Sequence, residues 1–230
     1  MEMDKEGCGW RGLRGRGYHH GRLREALLDA ARALISERGP AGFTLAEAAK
    51  RVGVTGAAPY RHFTDRQALI AALADQGFVR FNERLGQAWE GGKPDALTAL
   101  RRQGHAYLAF VREEPGLYRA MFGDAGQLCG PSIDASAVQA FAELVRVASE
   151  VLRQFCAPEN AARELAVQIW AITHGVADLM LAGHFTGPDQ DAGQIAADVL
   201  EAATVSLVEG AVRKSLGAPS PLTGGKARAD

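Results

Sequence analysis

Apolar positions in this chain recur every three or four residues over most of its length, the spacing of one helix face rather than the alternation of a strand. Leu23, Leu27, Ala30, Ala31 and Leu34 predict a first helix, which Gly39-Pro40 ends. A second begins at Thr44, where Glu47 completes a Ser/Thr-x-x-Glu capping box that satisfies free N–H groups of the helix start. Leu45, Ala48, Ala49 and Val52 form its one-sided apolar stripe, Lys50 and Arg51 point elsewhere, and Gly53 turns the chain. Thr55 is suited to cap a third, short helix that runs through His62. Too brief to be stable alone, that helix must dock on its neighbours.

Thr64 with Gln67 repeats the capping box and opens a long helix through Ala71, Leu73, Phe78, Phe81 and Leu85, which Gly91-Gly92-Lys93-Pro94 breaks. The next runs from Asp95 to about Glu113 with Tyr107, Leu108 and Val111 among its apolar positions, and a short helix, Leu117 to Phe122, follows Pro115-Gly116. Residues 123–134 read as a loop. Val138, Phe141, Val145, Ala148, Leu152 and Phe155 then alternate spacings of three and four, a core or helix-pairing stripe. Pro158 starts another long helix, and Gly187-Pro188 separates it from the last, where Ile195, Val199, Ala202, Ala203, Ser206 and Gly210 share a face of small residues that lets helices approach closely. The pattern predicts an all-α protein: a basic arm at 1–17, a three-helix unit at 18–66, a larger helical domain at 67–215 and a disordered tail at 216–230.

Helices at Thr44 and Thr55 joined by a tight turn have helix-turn-helix spacing, with the second offered outward. Thr44, Ala46 to Ala49, Val52-Gly53-Val54, Tyr60-Arg61-His62-Phe63 and Asp65-Arg66 resemble the DNA-binding domain of the TetR family of bacterial transcriptional repressors. That resemblance implies a DNA-binding set of Thr44, Arg51, Thr55, Gly56, Ala57, Tyr60, Arg61, His62 and Arg66. Thr44, Tyr60, His62 and Arg66 would meet the DNA backbone, while Thr55, Gly56, Ala57 and Arg61 would read base edges. Only Thr55 and Arg61 of those four hydrogen-bond through side chains, so phosphate contacts and DNA shape are expected to carry an unusual share of binding. Pro59 departs from the family pattern, and its missing N–H disturbs the pitch of the short helix.

Charge adds an asymmetry to this picture. The chain has 230 residues and a formal net charge of −1, yet residues 1–66 hold 12 Lys and Arg against 8 Asp and Glu, and the remainder 14 against 19. The basic end carries the helix-turn-helix, which favours a polyanionic partner there. Cys8, Cys129 and Cys156 lie far apart and form no pair motif, so neither a disulfide framework nor zinc is read, and a reducing cytoplasm fits. The apolar run Leu165 to Phe185 contains Gln168, His174, Asp178 and His184, a buried helix rather than a membrane span.

Trp170-x-x-x-His174-Gly175 is the second informative constellation, since Trp170, His174 and Asp178 share one helix face. It resembles the Trp-His-Gly type of TetR ligand domain. Two readings stand: Trp170 fills core while His174 hydrogen-bonds, for instance to Asp178, or both touch a ligand. By the same resemblance Tyr107, Phe110, Met121, Phe122 and Phe141 lie on the helices that line the pocket; most are expected in the core, and a pocket there would have an apolar lining suited to a small, hydrophobic effector. The chain offers no nucleophile motif, no phosphate loop and no cofactor site, so it is read as a regulator and not an enzyme. The expected protein is a homodimer, paired through its last two long helices, that binds double-stranded operator DNA and is released by an effector. A sensing dimer without operator specificity, or a helical enzyme or metal protein, are the competing readings.

Overall fold

The computed structural model describes residues 22–123, 131–185 and 191–217, without the side chains of 131–134. The expected arm, most of the expected loop at 123–134, the Gly187-Pro188 break and nearly all of the tail lie outside those residues. The described residues hold eight α-helices: α1 Leu23–Arg38, α2 Leu45–Val52, α3 Arg66–Trp89, α4 Ala96–Glu113, α5 Pro115–Phe122, α6 Pro131–Gln154, α7 Ala162–Leu181 and α8 Ala192–Ser215. Among the described residues there is no strand, and no helix long and apolar enough to cross a membrane.

Local chemistry sets most of the boundaries. The capping box forms as expected: the Glu47 N–H donates to Thr44 Oγ1 at 3.2 Å, and the Thr44 N–H donates to Glu47 Oε2 at 2.8 Å. Gly53 ends α2 with φ +82°, a left-handed conformation that costs glycine little. Three expected starts shift. At the head of α3 the cap is Asp65, whose Oδ1 accepts the Ala68 N–H at 2.8 Å, so Thr64 and Gln67 form no box. Ahead of α6 the helix begins at Pro131, inside the expected loop, where proline's fixed φ suits a first helical residue. Before α7, Pro158 precedes a 310 turn, Glu159–Ala161, and the α-helix begins at Ala162.

The predicted third helix is the largest departure. Residues 55–62 hold only a 310 turn, Ala58–Arg61, capped by Ala57 and not by Thr55. Pro59 is the cause. Lacking an N–H, it cannot bond the Thr55 carbonyl, which takes the Ala58 N–H at 3.0 Å instead, and the Pro59 carbonyl then accepts from both His62 and Phe63.

Packing joins the helices around two apolar clusters. One gathers α1, α2, α3, α4 and α5 with parts of α7 and α8, and has Phe78, Phe81 and Phe110 at its centre. The other joins Trp89 and the start of α4 to α6, α7 and Val208 of α8. Two glycines let α5 wedge between its neighbours: a Cβ on Gly77 would stand 2.6 Å from Met121 Sδ, and one on Gly116 would overlap the Arg32 carbonyl of α1. Of the expected α6 stripe, Ala148 and Leu152 are buried, whereas Val138 stays 68% exposed.

Candidate nucleic-acid interface and aromatic centre

The 310 turn stands on a buried footing. Pro59 and Phe63 point inward with Phe43, which is only 2% exposed, and burial of a phenylalanine contributes roughly 1.5–3 kcal/mol. Around that footing Thr55, Gly56, Ala57, Tyr60, Arg61 and His62 are all exposed. Tyr60, at 61% exposure, presents its ring to solvent, so the apolar footing is made by its neighbours without it. Thr44 is exposed as well, its hydroxyl already engaged with Glu47.

Two arginines expected at DNA are occupied by protein. Arg51 grips Glu37 of α1 with both terminal nitrogens, at 2.6 and 3.1 Å, and that hydrogen-bonded ion pair holds the Glu37 carboxyl below its ordinary value. Arg66 Nη1 lies 3.1 Å from the Ala41 carbonyl and 3.3 Å from that of Phe43. A second α1–α2 pair, Arg38 to Glu47, stands at 3.1 Å. The Glu47 carboxyl is held low, first by the Thr44 N–H and then by its hydroxyl.

Behind the reader, Arg119 of α5 donates to the Ser36 carbonyl at 2.7 Å, capping the free C-terminal carbonyls of α1. Glu114, at the start of α5, binds Arg32 of α1 and Arg80 of α3, each at 3.2 Å. Thus α5 is fastened to α1 on one side. Its other side carries Tyr118, Met121 and Phe122 into the aromatic centre.

His174 is the hub of that centre. An indole nitrogen can only donate, so the 3.0 Å contact from Trp170 Nε1 makes His174 Nε2 an acceptor and leaves the proton on Nδ1. Nδ1 then donates to the Tyr107 hydroxyl at 3.1 Å, and the Tyr118 hydroxyl donates to Asp178 Oδ1 at 2.9 Å, while the Tyr107 and Tyr118 rings meet edge to face with centroids 6.2 Å apart. These bonds tie α7 to α4 at His174 and to α5 at Asp178. Direct His174–Asp178 bonding, one of the sequence readings, is replaced by these separate partners. Burial lowers the His174 imidazole against the opposing pull of Asp178, and it raises both tyrosine hydroxyls.

Of the residues expected to line a pocket, Tyr107, Phe110 and Met121 are buried, Phe122 packs its ring 4.7 Å from that of His174, and Phe141 meets Trp170 at 5.6 Å. Aromatic rings fill the space around His174. Two grooves lie elsewhere: one of about 490 Å³ on α6 and α7, edged by Arg146, Arg153, Glu159 and Arg163, and one of about 280 Å³ between α7 and α8, at Gln168, Ser206 and Gly210. Sequence reasoning missed Tyr118 and Arg119. Tyr118 and Arg119 acquire partners 60 and 83 residues away, for which no local pattern exists.

The profile described as "Bacterial regulatory proteins, tetR family" matches residues 27–73, and "Tetracyclin repressor-like, C-terminal domain" matches residues 100–203. The nucleoid occlusion factor SlmA of Aliivibrio fischeri is 32% identical over 136 residues, which are 57% of this chain and 67% of that protein. The chain belongs to the TetR family. Other curated TetR relatives match over less: SlmA of Vibrio campbellii is 36% identical over 103 residues, 44% of this chain and 52% of its own, so the chain spans about half the length of that relative. Among solved structures, a protein of unknown function from Rhodococcus sp. RHA1 superposes with a TM-score of 0.69 at 28% identity, over 86% of this chain and all of that one. AibR, in complex with isovaleryl coenzyme A and operator DNA, shares the fold at 20% identity, with a TM-score of 0.62 over 77% of this chain and 95% of its own.

Proposed function

We propose that this TetR-family chain is a cytoplasmic transcriptional repressor that binds a palindromic operator as a homodimer and is released by a small, largely apolar effector. The observation that carries the reading is the exposed set Thr55, Gly56, Ala57, Tyr60, Arg61 and His62 around buried Pro59, Phe63 and Phe43 at the basic end of the chain. Residues 18–66 act as the reader and 67–215 as the sensing and pairing domain. Within the reader, Tyr60, His62 and Thr44 meet phosphates and Arg61 reads guanine.

The dimer pairs α7 with α8. Ala171 and Gly175 on α7, and Ala202, Ser206 and Gly210 on α8, are exposed and small, flanked by exposed Val167, Leu179 and Val199. A Cβ on Gly175 or Gly210 would meet nothing within 4 Å, so both faces have room for a partner helix. The effector enters the aromatic centre between α4, α5 and α7 by displacing rings around His174. Its acyl-coenzyme-A-binding, operator-binding fold neighbour AibR supports the pairing of these two functions. The Arg119 and Glu114 links then carry movement of α5 to α1. Release follows where the effector prefers the arrangement that no longer fits DNA.

Footprinting on the DNA flanking its own gene tests the reading. A protected palindrome is expected, with half-sites about one helical turn apart. Salt-sensitive association without a protected palindrome would leave only a sensing dimer.

A further inference from the structure

The cations around the reader fall into two groups. Arg51 and Arg66 use their donors inside the protein, whereas Lys50 and Arg61 are exposed and have no partner among the described residues.

The position of Arg66 explains its engagement. It is the first residue of α3, at the positive end of the helix dipole, where a cation is disfavoured. The carbonyls of Ala41 and Phe43 offset that, and they need a donor because loop 39–43 is not helical. The loop has little freedom otherwise: Gly39 turns it with φ +76°, and Gly42 presses so closely on α1 that a Cβ would stand 2.6 Å from Arg38 Cβ. Through these carbonyls Arg66 sets where Phe43 is buried, and so where the adjoining Thr44 cap and α2 begin. Arg51 does a related task on the far side of α2, where it joins Glu37.

Lys50 lies about 100° round α2 from Arg51. It lies one turn after Ala46 on α2, and the Cβ that Gly56 lacks would be 3.9 Å from Ala46 Cβ. The Ala46–Lys50 face of α2 therefore borders the reading turn. We infer that Lys50 is a phosphate-facing cation of the reader, and that Arg51 and Arg66, which the family resemblance sends to DNA, instead hold the reader's parts in register. This rests on the operator-binding reading above.

The test is the salt dependence of operator affinity, measured by fluorescence anisotropy between about 0.05 and 0.3 M salt, with thermal unfolding of the same samples. Each phosphate contact contributes about 0.9 to the slope of log K against log salt, so a dimer that loses one contact per subunit loses about 1.8. Lys50→Gln is expected to lose that slope with an unchanged melting temperature. Arg66→Gln and Arg51→Gln are expected to keep the slope and melt lower, because glutamine retains a donor but no charge. A slope loss in either arginine variant, or an unchanged slope in Lys50→Gln, overturns the inference. Should an arginine variant fold poorly, the exchange Glu37→Arg with Arg51→Glu decides: it restores affinity to within about threefold of wild type if the pair is internal, and loses more than about tenfold if Arg51 meets phosphate. A wild-type protein without sequence-selective binding sinks the operator reading itself and the Lys50 role with it. Misassigned slopes in a selectively binding protein sink the inference alone.

Discussion

The reader and the aromatic centre treat polar groups in opposite ways. Around the 310 turn, apolar residues are turned in and polar side chains face water, with arginines tying the pieces together through carbonyls and surface carboxylates. In the centre, the buried Tyr107 and Tyr118 turn their hydroxyls to His174 and Asp178, and exposed Trp170 donates to His174. Surface ion pairs contribute little and are forgiving, whereas a buried hydroxyl is costly once its partner is missing. The reader can therefore change its contacts with small effects on folding, and the centre cannot.

Four expectations would break or sharpen that contrast. The largest concerns the reader's footing: Phe43→Ala should cost about 3–5 kcal/mol in urea unfolding, while Tyr60→Ala stays within about 0.5 kcal/mol and loses operator binding. Equal stability losses would mean that the exposed surface is part of the core after all. Next, Tyr118→Phe removes the donor to Asp178 and should cost about 1–3 kcal/mol with little volume change. A neutral result would show that water replaces that donor.

Acid should separate the two regions. Burial depresses the His174 value in the folded protein, so below the ordinary 6.5 the unfolded chain binds the extra proton first. Stability therefore falls as pH drops from about 6.5 through the lower folded value. His174→Gln should flatten that limb of a pH series of urea midpoints, and an unaltered limb would dissociate His174 from it. Glu37 and Glu47 are depressed carboxylates, so their contribution holds above the ordinary 4.5 and is lost only as pH falls further. Hydrogen exchange should accordingly rise in α4, α5 and α7 before α1 and α2. Smallest, Arg119→Ala should lower the melting temperature by only a few degrees yet uncouple effector from release, read as operator affinity with and without effector. Normal release in that variant would move the coupling elsewhere.

Much of the reader was legible because its signals are local. The Thr44–Glu47 box, the Gly53 turn and the apolar stripe of α2 each depend on residues within one or two turns, and each appears where spacing placed it. Pro59 was also visible as a disturbance. Its outcome, a 310 turn in place of a helix, depended on how the Thr55 and Pro59 carbonyls found other donors. At Asp65 two adjacent residues could both cap, and the extended φ of −157° decided in favour of the second.

The amino-acid sequence by itself determined that this protein is all-helical, where most helices end, which faces are apolar, and that Thr55 to His62 belong to an outward-facing motif. These follow from capping, periodicity and turn chemistry, which act over a few residues. Only the tertiary structure decided which donors and acceptors meet across long separations. Arg66 reaches carbonyls 23 and 25 residues back, Tyr118 reaches Asp178 60 residues on, and Tyr107 finds His174 67 residues away. Such pairs depend on the packing of whole helices, set by the summed burial of many apolar side chains, and no pattern within one helix encodes them.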